Sequence, residues 1–386
     1  MTFEEGHECK REHNETRTVL IAAGGTSGHI FPALAIAREL RSLCPLCHVV
    51  FSGITNGLEH KMALQENFEF IPITAQNLPS RFGRRYWNWL KRNVRGMRLS
   101  RKAMKEMKPD IVIGTGGFVS APVIAAAKML RIPYVLHEQN SIPGRANRAF
   151  SRGAKKVFIS YDVSRSHFSR KANLILTGNP VRPEFHLLEK GEARTSLGID
   201  PEAFVVLVMG GSLGAKAINN AVRGLDQDGR WSELIEQYPN LSLIVSTGTL
   251  HDPCIVEQMN ALPHISAASF YDDAPMRIAV CDLYIGRAGA MTCAEIAILG
   301  KPSLLIPFPY AADDHQTENA NVMRRAGAAY VCDEKSFDSY TLLEVIRSAI
   351  KEKDLLREMG EKAKSLATPD ASRVIAEEIL ELLYAV

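Results

Sequence analysis

Residues able to do chemistry cluster where an apolar run ends in a glycine-rich turn. The run VLIAA (19–23) is followed by GGTSG (24–28), and His29 then opens a segment of helical periodicity. Glycines let a backbone approach a phosphate, and the unpaired N–H groups of a helix N-terminus attract anions. The helix dipole favours the neutral imidazole, the form a general base needs. We therefore predict an anion site beside His29, which acts as a base or, in the alternative interpretation, only positions the turn.

A second stretch repeats this pattern half a chain later. FVVLVMGGSLGAKAINNAV (204–222) again runs from an apolar strand through Gly-Gly, a hydroxyl residue and a third glycine into a helix. Ser212 in this turn predicts a diphosphate contact or, alternatively, a simple helix cap. Two more glycine turns, at 114–117 and 286–289, make a phosphate-bearing ligand the favoured interpretation over tight packing alone. Neither repeated turn fits the dinucleotide or P-loop fingerprint.

The segments that must position these turns alternate between apolar strands and amphipathic helices. This alternation predicts an α/β protein with two doubly wound, Rossmann-like domains facing each other across a cleft. The predicted boundaries are a flexible extension at 1–17, a first domain at 18–178 and a second at 179–368. Residues 369–386 are predicted to form a C-terminal helix that packs back on the first domain.

Composition excludes several classes of protein. The 386 residues are 46% hydrophobic and 23% charged with a net charge of +3, which is typical of a soluble globular chain of two domains. No apolar run approaches the length that spans a bilayer, and the N-terminus lacks a signal peptide pattern. Seven cysteines, mostly in apolar runs, indicate reduced thiols and a cytosolic protein. The Cys44-Pro-Leu-Cys47 spacing suggests a helix-to-strand connection rather than a redox or metal site.

Six motifs in order carry a family resemblance. They are GGTSGHIFPALAIA, GTGGFVSAP, HEQNSIPGRANR, TGNPVR, GGSLGAKAIN and RAGAMTCAEIAILGKPSLLIPFPYAADDHQTENA. Together they resemble the MurG family of peptidoglycan glycosyltransferases from about residue 18 to the C-terminus. The resemblance implies a glycosyltransferase-B fold and inverting transfer of N-acetylglucosamine (GlcNAc) from UDP-GlcNAc. It implies as acceptor the C4 hydroxyl of undecaprenyl-pyrophosphoryl-MurNAc-pentapeptide (lipid I), giving lipid II. We expect no cofactor and no bound metal.

The resemblance also assigns donor residues. It implies that Glu295 binds the ribose hydroxyls, although Thr292 and Glu295 alone would suggest a capping box. Arg182 is expected to contact phosphate or uridine, and Tyr271 to lie near the uracil. The remaining donor contacts are expected from Asn140, Ser212, Ala290, Met291, Thr292, Cys293, Ala294 and Gln316.

The first glycine turn is assigned to the acceptor. Thr26, Ser27 and Gly28 are expected to receive its diphosphate. His29 is predicted to remove the proton from the attacking C4 hydroxyl, with Glu138 in HEQN as the rival base.

A basic segment predicts how the chain meets a lipid substrate. Residues 81–108 contain eleven basic side chains and one acidic side chain. Basic residues beside interfacial aromatics fit an anionic bilayer, a single-stranded nucleic acid, or, for the tryptophans, a plain core. The resemblance favours peripheral binding at the cytoplasmic face of the bacterial membrane, without nucleic acid and with contacts to other cell-wall synthesis proteins. The residues assigned to this surface are Phe82, Arg84, Arg85, Trp87 and Trp89.

Two other functions remain open on the sequence. One is a related lipid-directed transferase, such as a diacylglycerol glycosyltransferase, which assays with alternative acceptors would identify. The other is a catalytically silent UDP-sugar sensor, which would bind the donor without releasing UDP when lipid I is added.

Overall fold

The computed structural model describes residues 16–79, 83–250 and 254–384. Nearly all of the predicted N-terminal extension, and Phe82 of the predicted membrane surface, therefore lie outside the described residues.

The first domain is built on a parallel sheet of seven strands in the order β3-β2-β1-β4-β5-β6-β7. Its strands are β1 (Thr18–Ala22), β2 (His48–Ile54), β3 (Glu69–Ile73), β4 (Ile111–Gly114), β5 (Tyr134–Glu138), β6 (Val157–Ile159) and β7 (Leu174–Leu176). Its helices are α1 (Ser27–Leu43), α2 (Leu58–Gln65), α3 (Arg84–Met107), α4 (Gly117–Leu130) and α5 (Arg145–Phe150). In the register of the sheet, Ile21 lies opposite Phe51 on one side and Ile113 on the other.

The second domain repeats this design with six parallel strands in the order β10-β9-β8-β11-β12-β13. Its strands are β8 (Phe204–Met209), β9 (Leu241–Ser246), β10 (Ile265–Ala268), β11 (Leu283–Gly286), β12 (Ser303–Leu305) and β13 (Ala329–Val331). Its helices are α6 (Lys190–Ser196), α7 (Lys216–Arg223), α8 (Arg230–Gln237), α9 (Cys254–Asn260), α10 (Ala274–Val280), α11 (Ala290–Ile298), α12 (His315–Arg325), α13 (Ser339–Lys351) and α14 (Lys353–Ser365). The predicted fold class is confirmed.

Continuous apolar strands explain both sheets. Val206 and Val208 of β8 pack in the core on one face of the second sheet, while Val205 and Leu207 pack on the other. All four are fully buried because helices cover both faces. This arrangement brings the carboxyl ends of the central strands β1 and β8, and the glycine turns that follow them, to the space between the domains.

The last helix, α15 (Ala371–Tyr384), lies against α1 of the first domain. Its Ile375 and Ile379 are fully buried in the same core cluster as Ile36. The chain therefore passes between the domains twice. The two crossings touch at Gly178, whose φ is +83° and whose added Cβ would lie 1.9 Å from Thr368 Oγ1. Only glycine fits this contact.

The Cys44–Cys47 pair lies in the connection from α1 to β2. Both thiols are buried, with their sulfur atoms 3.0 Å apart and Cys44 Sγ 3.4 Å from the Tyr384 hydroxyl. Burial raises the pKa of Cys47 to about 12. A buried thiol resists forming the reactive thiolate, because burial disfavours the charged form.

No helix among the described residues is both long and apolar enough to cross a membrane. The longest one, α3, is instead strongly amphipathic and buries only Gly96, Ser100 and Met104.

Candidate active site

The two domains enclose a cleft of about 710 Å³. Both repeated glycine turns open into it, together with the start of α11 and residues of the connection between the domains. Its lining consists of residues 24–29, Phe31, Asn77, Gly117, Phe118, Gln139, Asn140, Arg182, 209–214, 270–272, Ala274, Ile278, Tyr284, Arg287, 289–292, Glu295, Phe308, His315 and Gln316.

Most predicted site residues meet in this cleft. Those that line it are Thr26, Ser27, Gly28, His29, Asn140, Arg182, Ser212, Tyr271, Ala290, Met291, Thr292, Glu295 and Gln316. Glu138, Cys293 and Ala294 do not belong to its lining.

His29 occupies the first turn of α1, where its backbone N–H bonds to Thr26 O at 3.1 Å. Its ring atom Nδ1 lies 3.1 Å from Thr115 O and 2.9 Å from Gln139 Oε1. The Thr115 hydroxyl donates back to the His29 carbonyl at 2.8 Å. The carboxyl ends of β4 and β5 thus hold both the backbone and the ring of His29 at the cleft.

Glu138, the rival base, accepts hydrogen bonds from the turn after β5. Its carboxylate is 1% exposed and accepts hydrogen bonds from Asn140 N at 3.0 Å, Gly144 N at 2.9 Å and Asn147 Nδ2 at 2.8 Å. These donors use both carboxylate oxygens. Glu138 therefore fixes the loop that carries Asn140 into the cleft.

The second glycine turn presents backbone and a hydroxyl rather than a helix cap. Helix α7 begins only at Lys216, and Ala215 is its N-cap residue. The capping interpretation of Ser212 is therefore wrong. Ser212 is exposed in the cleft, and its carbonyl accepts a hydrogen bond from Thr249 N at 3.1 Å.

The start of α11 provides a third set of backbone donors. The helix begins at Ala290 with Gly289 as its N-cap, so Thr292 and Glu295 do not form the alternative capping box. Cys293 N is already bonded to Gly289 O, whereas the N–H groups before it have no acceptor within the helix. The side chain of Cys293 is buried, and burial raises its pKa to about 12.

Glu295 and Arg182 are a pair of opposite charges in the cleft lining. Their closest oxygen and nitrogen atoms are 3.8 Å apart, and the Glu295 side chain is 12% exposed. Burial raises the pKa of Glu295 to about 7, with the Arg182 charge acting in the opposite direction. The Arg182 guanidinium also stacks on Phe31 of α1 at 4.6 Å and on Phe185 at 5.1 Å. Arg182 therefore contacts elements of both domains.

Gln316 and Tyr271 are held by local contacts. Gln316 Oε1 accepts from Phe308 N at 3.0 Å, which fixes the side chain at the start of α12. The Tyr271 hydroxyl donates to Ser266 O at 3.3 Å, and its ring lies 4.7 Å from the Arg277 guanidinium. The Tyr271 side chain is thus engaged within its own domain.

Several residues that support the site were missed by the sequence reasoning. Asn319 is fully buried and accepts from Ser141 N at 2.9 Å and from its hydroxyl at 2.8 Å, which joins the two domains. Arg287 bonds to the carbonyls of Ile306 and Pro307, each at 3.1 Å, and so shapes the loop before Gln316. Asn319 and Arg287 both lie inside the sixth motif. Their burial, which would have identified them as structural polar residues, cannot be seen in the sequence.

The basic helix α3 lies outside this cleft. Trp87 is 63% exposed, so a core role is excluded for it, and Arg84 and Arg85 are exposed beside it. Trp89 is half-buried and stacks on Tyr86 with ring centroids 5.2 Å apart.

Comparison with known proteins identifies the family of this chain. The model of the glycosyltransferase family 28 N-terminal domain matches residues 19–159, and that of the C-terminal domain matches residues 205–375. A Clostridioides difficile protein named UDP-N-acetylglucosamine–N-acetylmuramyl-(pentapeptide) pyrophosphoryl-undecaprenol N-acetylglucosamine transferase is 35% identical over 94% of this chain and 88% of its own. A protein of the same name from an Exiguobacterium species is 37% identical over 95% of this chain and 99% of its own.

Solved structures of similar fold include a member of the same family. The crystal structure of Acinetobacter baumannii MurG is similar with a TM-score of 0.71 and 28% identity, covering 95% of this chain and 99% of that one. A UDP-GlcNAc 2-epimerase from Neisseria meningitidis shares the fold at a TM-score of 0.66 and 15% identity, covering 95% of this chain and 100% of that one. The chain is thus a glycosyltransferase that belongs to glycosyltransferase family 28 and, within it, to the MurG family of N-acetylglucosamine transferases.

Proposed function

We propose that this enzyme transfers GlcNAc from UDP-GlcNAc to the C4 hydroxyl of MurNAc in undecaprenyl-pyrophosphoryl-MurNAc-pentapeptide, with inversion at the sugar carbon. The observation that carries the proposal is the interdomain cleft, into which two glycine turns open from opposite domains. Each turn suits one diphosphate, and the reaction needs two, one on the donor and one on the acceptor. The names of the full-length relatives support these substrates.

The donor occupies the second domain in this scheme. The turn at 210–214 and the first N–H groups of α11 bind the UDP diphosphate. Glu295 accepts from the ribose hydroxyls, and Gln316 and Asn140 contact the sugar. The uracil lies against the backbone near Tyr271. Arg182 stabilises the charge that develops on the departing UDP, because its guanidinium faces the same cleft.

The acceptor enters over the first glycine turn. Thr26, Ser27 and Gly28 bind its diphosphate, and His29 removes the proton from the C4 hydroxyl as that oxygen attacks the anomeric carbon. We assign the base to His29 rather than Glu138, because His29 lines the cleft while the Glu138 carboxylate already accepts four hydrogen bonds from Asn140, Gly144 and Asn147.

A coupled assay of UDP release tests the reaction. Purified enzyme is given UDP-GlcNAc with a lipid I analogue, with diacylglycerol, or with no acceptor. We expect release only with the lipid I analogue. UDP release with diacylglycerol but not with the lipid I analogue would identify a diacylglycerol glycosyltransferase. Donor binding by calorimetry without release under any condition would identify the UDP-sugar sensor.

The lipid acceptor requires the enzyme to work at a membrane surface. We propose that Arg84, Arg85, Trp87 and Trp89, together with Phe82, form a peripheral contact with the anionic cytoplasmic face of the bacterial membrane. The support is the exposed Trp87 ring on a helix rich in arginine and lysine.

Vesicle sedimentation tests this contact. Binding to vesicles with anionic lipid should fall in Trp87→Ser and in the double variant Arg84→Gln/Arg85→Gln. Tyr330→Ser removes an aromatic ring that is 50% exposed in the second domain and should leave binding unchanged. Equal binding by all of these variants would refute the assignment.

A further inference from the structure

A chain of hydrogen bonds through buried residues connects His29 to the segment between the domains. It begins at the carbonyl oxygen of Thr115, a fully buried residue at the carboxyl end of β4. A carbonyl can only accept, so the ring atom Nδ1 of His29, 3.1 Å away, carries the proton in the neutral imidazole. The other ring nitrogen, Nε2, then has its lone pair available, and it has no hydrogen-bond partner among the residues that the structure describes.

The same carbonyl orients the Gln139 side chain. Gln139 Nε2 donates to Thr115 O at 2.8 Å, so Gln139 Oε1 is the atom that accepts from His29 Nδ1 at 2.9 Å. Gln139 is 1% exposed. The imidazole of His29 is therefore held at Nδ1 by two acceptors, one from β4 and one from the end of β5.

His137 continues the chain on the same face of β5, because alternate residues of a strand point to the same side. Gln139 Nε2 also lies 2.8 Å from His137 Nδ1, which must accept, since the amide donates. His137 Nε2 then carries the proton and faces Gly178 O at 3.3 Å. His137 is fully buried, and burial lowers its pKa to about 4, so the ring stays neutral.

We propose that Gln139 and His137 are positioning residues that hold His29 in the Nδ1–H tautomer with Nε2 directed to the acceptor hydroxyl. Their chain ends at Gly178 O, where the connection between the domains begins. Through these hydrogen bonds, the position of the His29 ring depends on the position of the segment that connects the two domains. This inference rests on the proposed role of His29, but the tautomer can be measured without any transfer reaction.

Nitrogen NMR of the protein labelled with nitrogen-15 histidine tests the tautomer directly. The chain has eleven histidines, and the His29→Gln variant assigns the pair of resonances that it alone lacks. We expect a protonated, pyrrole-type Nδ1 and an unprotonated, pyridine-type Nε2 for neutral His29. Gln139→Leu removes one of the two acceptors and leaves Thr115 O, so we expect both resonances to move part of the way toward the average of the two tautomers. An Nε2–H tautomer in the unmodified protein, or no change in Gln139→Leu, would overturn the proposal.

Kinetics test the consequence. Gln139→Leu should lower kcat by about 10- to 100-fold and leave KM for UDP-GlcNAc within about twofold, because the loss is in the action of the base. Asn260→Leu is the control for the loss of a hydrogen-bonded side-chain amide, since Asn260 donates to Ala267 O and accepts from Ala267 N but lies outside the cleft. It should leave kcat unchanged. Unchanged kcat in Gln139→Leu would contradict the proposal.

A pair of His137 variants separates its two hydrogen bonds. Asparagine at 137 places an acceptor near the position of Nδ1, whereas glutamine places a donor near that of Nε2. We expect His137→Gln to lower kcat by about tenfold or more and His137→Asn to recover most of this loss. The reverse order would contradict the chain described here. Should the unmodified enzyme release no UDP with any acceptor, the proposed function fails, while the NMR result still decides the tautomer.

Discussion

The two glycine turns begin alike and end differently. In the first, Gly28 is already part of α1, which starts at Ser27. In the second, the corresponding Gly214 has a φ of +83°, and α7 starts only at Lys216. The second turn also lies close to the loop that follows β9, because an added Cβ on Gly248 would lie 2.1 Å from Gly214 N. The second turn is thus a loop at the position where the first turn is already helical.

The difference decides what each turn can do. His29 stands on the first helical turn and lines the cleft, whereas the corresponding residue of the second turn, Ala215, is buried. The second turn exposes backbone and Ser212, and its charged chemistry comes from α11 instead. A repeated sequence pattern thus gives two similar scaffolds, but only the first places a histidine at the cleft.

The strongest test of this contrast is His29→Ala. We expect kcat to fall by about 10²- to 10⁴-fold, because proton removal from the acceptor hydroxyl is lost, while calorimetric affinity for UDP stays unchanged. UDP release at saturating substrates is the measurement. Full turnover would show that the first turn carries no base.

The next test concerns Glu295, the titrating group of the donor side. Its pKa is about 7 in the folded chain against an ordinary 4.5, so the folded state holds the proton more tightly across that window. Raising the pH from 4.5 to 7 should therefore weaken the native protein relative to Glu295→Gln, by up to about 3 kcal/mol in the free energy of unfolding. Chemical unfolding of both proteins at several pH values measures this. Parallel stability curves would argue against a buried carboxyl.

Alanine at the two corresponding glycines tests the backbone difference. Gly214→Ala should cost about 1–2 kcal/mol of stability, because an L residue is strained at positive φ. Gly28→Ala meets only Thr26 Oγ1 at 3.7 Å and should fold as well as the parent. Its expected defect is a raised KM for the lipid acceptor. Equal losses of stability in the two variants would remove the distinction between the turns.

The smallest expected effects come from the two hydroxyls. Ser212→Ala should weaken UDP binding by about 3- to 10-fold, the typical contribution of one hydrogen bond, with no change in KM for the acceptor. Thr26→Ala should raise KM for the acceptor and leave UDP binding unchanged. Calorimetry and initial rates give both quantities. A loss of UDP affinity in Thr26→Ala would mean that the donor diphosphate uses the first turn.

Some features of the site could be predicted from the sequence and others could not. The motifs contain most residues of the cleft, since strand ends in parallel sheets collect at one edge. Helix starts were harder, because the residue types near a turn do not fix which residue becomes the N-cap. The capping interpretations of Ser212 and Thr292 both failed for this reason. In HEQN, no local pattern shows whether the Glu138 carboxylate accepts hydrogen bonds from its own loop or faces the cleft.

The sequence by itself determined the two parallel sheets, the repeated turns and the basic segment, because continuous apolar strands and charge density are properties of local chain composition. Only the tertiary structure decided the neighbours of each side chain. Thr115, Gln139 and His29 are far apart in the chain and meet because β1, β4 and β5 are adjacent in one sheet. The proton position on His29 depends on that meeting, since a hydrogen bond is set by distance and direction in space.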